Sequence, residues 1–421
     1  MKQIADLQVA PVAQPTRGRW LVLAVLVALN LVVWLDELKF SQLSPFWSSA
    51  LHLDATQTAS ILSAYYIGYA PALLVAGFLA DRFGPRPLLI VAAGGVTALS
   101  VAMVGVTTAG EMFWRNAVFG VFFGFVWAPS NRMIANWFDA VDRTRATSIW
   151  LAGSSVAGVL TPIIALPIAK HVSWQAAFVI VAMIGLPALI ALFWTPSFPR
   201  GHVAEAADRL TLKQIGALTK TPSLWIMTAV ALLAGAFALS LAWSSYGLIT
   251  MEGVDPDTVA AIAPLFGVLP VIFAFANGAI LIRLFRGRTN LYMATGLVLC
   301  ALGYLAASAL PLGWVAWAFC ILLPMSLANS MFYGTLTAYW SVLLGARATG
   351  TATGLATCAQ IVSAYVLVHF SGGWFDTSAI GLHQLNPIFI VGGVLLLVGA
   401  GLTLLAKRIT IHSSEHLAAR H

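Results

Sequence analysis

The chain has 421 residues, 60% of them apolar and only 9% charged, and its net charge is +7. Soluble proteins carry about 25% charged residues, and so few charges cannot cover a surface in water, so a soluble globular domain is excluded. Intrinsic disorder fails because such chains are polar, and a membrane β-barrel fails because the apolar residues run together instead of alternating. What remains is an all-α polytopic membrane protein.

A spanning helix needs about 20 apolar residues. Twelve such stretches are predicted, near 20–40, 58–80, 87–108, 112–138, 146–169, 174–195, 223–250, 258–282, 290–310, 313–340, 348–370 and 386–406. The first follows a short tail, 1–19, and no small-residue cleavage site comes after it, so it reads as a span and not as a signal peptide. Span one carries Asn30 inside it and Asp36, Glu37, Lys39 and Ser41 toward its outer end. Adjacent carboxylates disfavour each other's charge, so one can hold a proton, whereas Lys39 favours the charged form of Asp36. A proton-coupling pair, Asp36 and Glu37, and a solvated outer mouth are both open readings.

Span two holds Tyr65, Tyr66 and Tyr69, and is followed by Gly77-Phe-Leu-Ala-Asp81-Arg82-Phe-Gly84-Pro85-Arg86. Glu111 and Arg115, one turn apart, open span four as a structural pair. Gly120 and Gly124 suit close helix packing. Asn131 and Arg132 lie in the last third of span four. Charge inside a membrane costs about 2.5–3.5 kcal/mol on insertion scales. Arg132 therefore either meets an anion with its guanidinium fork or snorkels to the interface.

The segment 196–222 is the one stretch that reads as a soluble linker. It separates a bundle at 20–195 from a second at 223–406, with a tail at 407–421. In the second half, Asn329 and Tyr333 share a helix face, and Gln360, Tyr365 and His369 lie in span eleven. Each of these either glues helices together or lines a cavity. The halves echo one another. Gly77–Arg82 recurs as Gly278–Arg283 about 201 positions on, and Arg145-Ala-Thr147 as Arg347-Ala-Thr349 about 202 positions on.

With the N-terminus inside, 18 of the 22 basic residues fall on the inner face, so the basic excess is a topology signal that puts both termini in the cytoplasm. Nucleic-acid binding is not needed to explain it. Cys300, Cys320 and Cys358 lie in apolar stretches and read as buried thiols. No Gly-x-x-x-x-Gly-Lys-Ser/Thr loop is present, so ATP is not the direct energy source. Histidines are not clustered as metal ligands.

The Gly77–Arg86 loop closely resembles the signature loop of the major facilitator superfamily. The resemblance implies twelve transmembrane helices in two pseudo-symmetric six-helix bundles. It also implies that Gly77, Asp81, Arg82 and Arg86 act in gating, latching the halves on the cytoplasmic side. Asn131-Arg132 with Asn136-Trp137-Phe138, the span-two tyrosines and Asp36 resemble the anion:cation symporters within that superfamily, which carry sugar acids and related organic anions. In that family an Asp-Arg pair often stands in span one, and here Glu37 takes the arginine's place. The family's span-four arginine falls on Arg132.

The resemblance thus implies a non-enzymatic secondary transporter with no cofactor and no metal, monomeric, in the cell inner membrane. Its partners would be the lipid bilayer, protons and a small organic anion. Substrate would meet Arg132, Asn131, Tyr65, Tyr69, Asn30, Asn329, Tyr333 and Gln360, and Asp36 and Glu37 would carry the proton. The alternative is a proton-coupled exporter of drugs or metabolites. Span five lacks the Gly-Pro-x-x-Gly-Gly pattern of drug–proton antiporters, which disfavours it.

Overall fold

The computed structural model describes residues 18–138, 140–198, 219–344 and 346–410. Both tails and most of the predicted linker lie outside the described residues. The described chain is almost wholly helical, with one isolated antiparallel bridge between Arg288 and Thr410.

The first half runs α1 (Gly18–Gln42), α2 (Ala55–Phe83), α3 (Pro85–Ala102), α4 (Ala109–Trp137), α5 (Ala140–His171) and α6 (Trp174–Ile184, continued as Leu186–Leu192). The second runs α7 (Pro222–Leu233, continued as Phe237–Tyr246), α8 (Pro256–Arg283), α9 (Thr289–Ala309), α10 (Trp314–Leu344), α11 (Ala346–Ser371) and α12 (Asn386–Leu405). Eleven helical stretches among the described residues are long and apolar enough to cross a membrane. The remaining long helix, α8, has 28 residues, about 42 Å at 1.5 Å per residue.

Local chemistry sets the ends. Asp54 and Gln57 form a reciprocal capping box at the start of α2. Thr108 caps α4 and Ser173 caps α6 through their side chains. Gly84, at φ +86°, makes the sharp turn between α2 and α3 that a side chain would strain, and Pro85 then opens α3. Span six is broken at Gly185, where Pro187 lacks the N–H a continuous helix needs.

Within the first half α2 packs along α4 and α1 along α5. Within the second, α9 packs against α10 and α12. The α2–α4 contact is close because both helices contribute glycine. A Cβ at Gly120 would stand 2.0 Å from the Tyr65 carbonyl oxygen, and one at Gly68 would stand 1.9 Å from that of Ala117. Gly77 is different. A Cβ there would meet nothing within 4 Å, so no helix packs closely against it. Large apolar side chains such as Leu74, Phe78, Trp114 and Trp194 are exposed, as lipid-facing surface requires.

The halves meet through α2 with α11 and through α5 with α8. Among the described residues, side-chain bonds between them cluster at the end away from the termini. Ser63 of α2 bonds His369 of α11 at 3.2 Å, and Ser245 of α7 donates to Gln42 of α1 at 2.5 Å. Lys170, at the end of α5, donates to both carboxylate oxygens of Asp255 (2.8 and 2.6 Å) and to Asp257 (2.6 Å). His171 reaches Asp257 at 3.0 Å. Hydrogen bonding from Lys170 holds the Asp255 carboxyl below its ordinary range. This end is therefore closed. The closing contribution is complete at neutral pH and is lost as pH falls through the depressed Asp255 value.

Lys170→Gln should loosen this end. A cysteine placed in the seam by Ser245→Cys should then react several-fold faster with a membrane-impermeant maleimide added from that face. Equal labelling with Lys170 intact would show that the ion cluster does not hold the halves together.

Candidate functional site

Near the closed end residues of both halves line a partly open cavity. Glu37 and Ser41 of α1, Tyr65 and Tyr66 of α2, and Asn116 of α4 supply its polar lining. Ala238, Leu241 and Ala242 of α7 and Val368 of α11 close it from the second half.

The two adjacent acids of α1 part company here, because successive helical residues point about 100° apart. Asp36 faces into the first half, 2% exposed, and pairs with Lys39, which is 0% exposed. Lys39 also donates to Ser100 Oγ at 2.9 Å and to the Phe178 carbonyl at 3.2 Å, and Ser100 donates to Asp36 at 3.0 Å. The Lys39 ammonium lies 4.9 Å from the Phe178 ring centre. This buried network ties α1 to α3 and α6. The solvated outer mouth is thereby corrected: Asp36 and Lys39 are inside the bundle.

Glu37 turns to the cavity instead. Its Oε2 is buried and has no hydrogen-bond partner. No cationic side chain lines the cavity with it. The phenols of Tyr65, Tyr66 and Tyr69 stand within its electrostatic reach. The Tyr65 ring centre is 5.0 Å from Tyr66 and 5.2 Å from Tyr69, and Phe123 packs 5.4 Å from Tyr65. A carboxylate among aromatic rings with no cation beside it loses its hydration without replacement.

The predicted substrate residues do not all converge. Tyr65 lines the cavity and Tyr69 stacks beside it. Asn30 is buried and donates to the Trp150 carbonyl at 2.8 Å, so it joins α1 to α5. Asn131 donates to the Trp127 carbonyl of its own helix at 3.0 Å. Arg132 is half-buried on α4. It lies 16 residues beyond Asn116, about 24 Å along the helix axis, and nearly half a turn round from it. A small anion at Glu37 therefore cannot touch Arg132 as well. In the second half, Tyr333 Oη is buried without a partner, Gln360 is half-buried and Asn329 is exposed. None of these three lines the cavity.

In the loop after α2, Arg86 donates to the carbonyls of Leu192, at 2.9 Å, and Phe193. It thus anchors α3 to the end of α6 within the first half. Arg82 is exposed, over the Phe83 ring. The Asp81 side chain lies outside the described residues. Glu111 accepts from the Thr107 backbone N–H at 2.9 Å, while Arg115 donates to the Ala102 carbonyl, so each takes a partner other than its predicted mate. Among the described residues no group of three His, Cys, Asp or Glu gathers as metal ligands.

Sequence reasoning passed over Asn116, and named Tyr66 without assigning it to the site. Asn116 had a signal: it precedes Gly120 and Gly124 by one and two turns, on the stripe of α4 that presses against α2.

A pair of six-helix bundles of membrane-spanning length meeting at a shared cavity is the architecture of a transporter. The chain belongs to the Major Facilitator Superfamily, whose sequence profile matches residues 23–367. It is 25% identical over 411 residues to the "Probable sulfoacetate transporter SauU" of Cupriavidus necator, covering 92% of this chain and 93% of that one. It is 26% identical over 275 residues to the hexuronate transporter of Bacillus subtilis, covering 61% of this chain and 63% of that one. Among solved structures it resembles a D-xylose–proton symporter, with TM-score 0.74, 17% identity and coverage of 92% and 97%. A bacterial homologue of the human lysosomal transporter Spinster, solved in an inward-facing, unoccupied conformation, also gives TM-score 0.74, at 14% identity and coverage of 94% and 98%. At such identities the structural matches speak to the fold alone.

The buried network predicts an asymmetry between neighbours. Asp36→Asn leaves the Lys39 charge buried and unpaired, at a cost of about 3–5 kcal/mol. It should lower the melting temperature of the purified protein sharply, and a second change, Lys39→Met, should restore most of the loss. A wild-type melting temperature for Asp36→Asn alone would refute a structural role for the pair.

Proposed function

We propose that this transporter takes up a small organic anion, a sugar acid or other carboxylate, together with a proton. It does so across the cell inner membrane, with both termini in the cytoplasm. The observation that carries the reading is Glu37, a half-buried residue whose Oε2 is buried and unpartnered in a cavity that both halves line. Support comes from relatives whose names concern sulfoacetate and hexuronate. Support for the orientation comes from the basic residues, 18 of 22 on the terminus-bearing side.

Two carboxylates about 4 Å apart repel by about 4 kcal/mol at an effective dielectric of 20. An anion therefore enters beside Glu37 only when Glu37 holds a proton. The neutral carboxyl then donates a hydrogen bond to the anion where the ionised group would expel it. Proton and anion bind as a pair, and rocking of the halves about the cavity carries both. The anion without the proton is the unfavourable intermediate, so the anion does not cross alone. Arg132, far down α4, acts in this scheme by drawing anions toward the terminus-bearing end, and not as their seat.

The test uses proteoliposomes with an imposed pH gradient and labelled glucuronate or sulfoacetate. Glu37→Gln keeps a neutral donor, so exchange against internal substrate should continue while gradient-driven accumulation falls at least about tenfold. Accumulation at the wild-type level in Glu37→Gln would remove Glu37 from the coupling step. Accumulation that runs outward along the gradient would favour export.

A further inference from the structure

Asn116 presents a second unfilled position in the same cavity. It is 1% exposed, and its Nδ2 donates to the Ile61 carbonyl of α2 at 2.7 Å. Its Oδ1 is buried and has no hydrogen-bond partner. The amide cannot simply be turned round, because that would set Oδ1 against the Ile61 carbonyl oxygen, two acceptors face to face. The Ile61 carbonyl thus fixes the orientation of the amide, and the acceptor is the end left unpartnered on this cavity-lining residue. Asn116 and Glu37 line one cavity, with Ser41, Tyr65 and Tyr66 beside them.

We infer that Asn116 is a specificity-determining residue, whose carbonyl oxygen reads a hydroxyl on the carbon next to the substrate's acid group. The inference rests on the proton-coupled anion reading of this cavity. With Glu37 protonated, its O–H donates to the acid group and Asn116 Oδ1 accepts from the neighbouring hydroxyl. One cavity thus reads both groups of a 2-hydroxy acid. An analogue without the hydroxyl fills the cavity and leaves Oδ1 unpaired. Sites built to bind a hydroxyl reject such analogues far more strongly than sites that only shape-match a methylene. An ammonium in the same place also donates, but beside Glu37 it favours the ionised carboxylate and removes the proton to be carried. The hydroxyl is therefore the donor consistent with coupling.

The experiment measures competition with uptake in proteoliposomes at pH 5.5, using matched pairs: gluconate and 2-deoxygluconate, glycerate and 3-hydroxypropionate, lactate and propionate. Alanine serves as the ammonium-bearing counterpart of lactate. In the wild-type protein the 2-hydroxy member of at least one pair should compete about tenfold or more better than its partner. In Asn116→Leu that ratio should fall to about one, whereas Asn116→Thr, which retains an acceptor oxygen, should keep part of it.

Since Asn116 also ties α4 to α2, folding of both variants is checked by melting temperature. If neither folds, the wild-type ratio alone decides. Anions that compete without regard to the hydroxyl, or a ratio unchanged in folded Asn116→Leu, would overturn this inference and leave the anion reading standing. Stronger competition by alanine than by lactate would also overturn it. If no member of any pair competes, the anion reading falls and this inference with it.

Discussion

A carboxyl group with an oxygen buried among aromatic side chains, and no cation beside it, has two favourable states. It takes a proton, or it meets a positive charge brought from outside. Glu37 is in that position, in a cavity that both bundles line. Its neighbour Asp36 is not, because Lys39, Ser100 and the turn of the helix give it a fixed counterion. One step along the same helix thus separates a permanent ion pair from a carboxyl free to change its charge.

The surrounding structure divides in a way that suits this. The Asp36–Lys39 network holds α1 to α3 and α6, so the element that carries Glu37 moves with its own half. Among the described residues, the polar contacts across the seam are of another kind. They are single hydrogen bonds, such as Ser63 to His369, and an ion cluster at the rim around Lys170. The rim residues are partly exposed, and surface ion pairs are each worth only about 0–1 kcal/mol. A seam closed by such bonds can open without unfolding either bundle, as rocking of two rigid halves requires.

Much of the fold was legible in the sequence. Long apolar runs, caps such as Asp54 and Thr108, and helix-opening prolines set the spans. The repeat of Arg-Ala-Thr and the long polar stretch between runs six and seven marked two halves. Gly120 and Gly124 foretold the tight α2–α4 contact because a missing side chain has one common use there. The polar residues were less legible, since burial, pairing and facing depend on neighbours distant in sequence. Asn30 and Asn116 look alike on paper. One is consumed by the Trp150 carbonyl, and the other keeps an oxygen free in the cavity. Arg132 shares a helix with Asn116, but length and phase carry it to a different level and face. Asp36 and Glu37 looked like a pair until Lys39 claimed one of them.

The central claim is that a proton on Glu37 accompanies the bound anion. Counting protons on binding tests it most directly. Glucuronate or sulfoacetate is added to the purified protein in weakly buffered detergent solution at alkaline pH, where Glu37 is ionised before the anion arrives, with a pH indicator present. The account predicts net uptake of close to one proton per anion bound by the wild-type protein, and none by Glu37→Gln. Saturable binding of the anion to the wild-type protein with no proton uptake would contradict it.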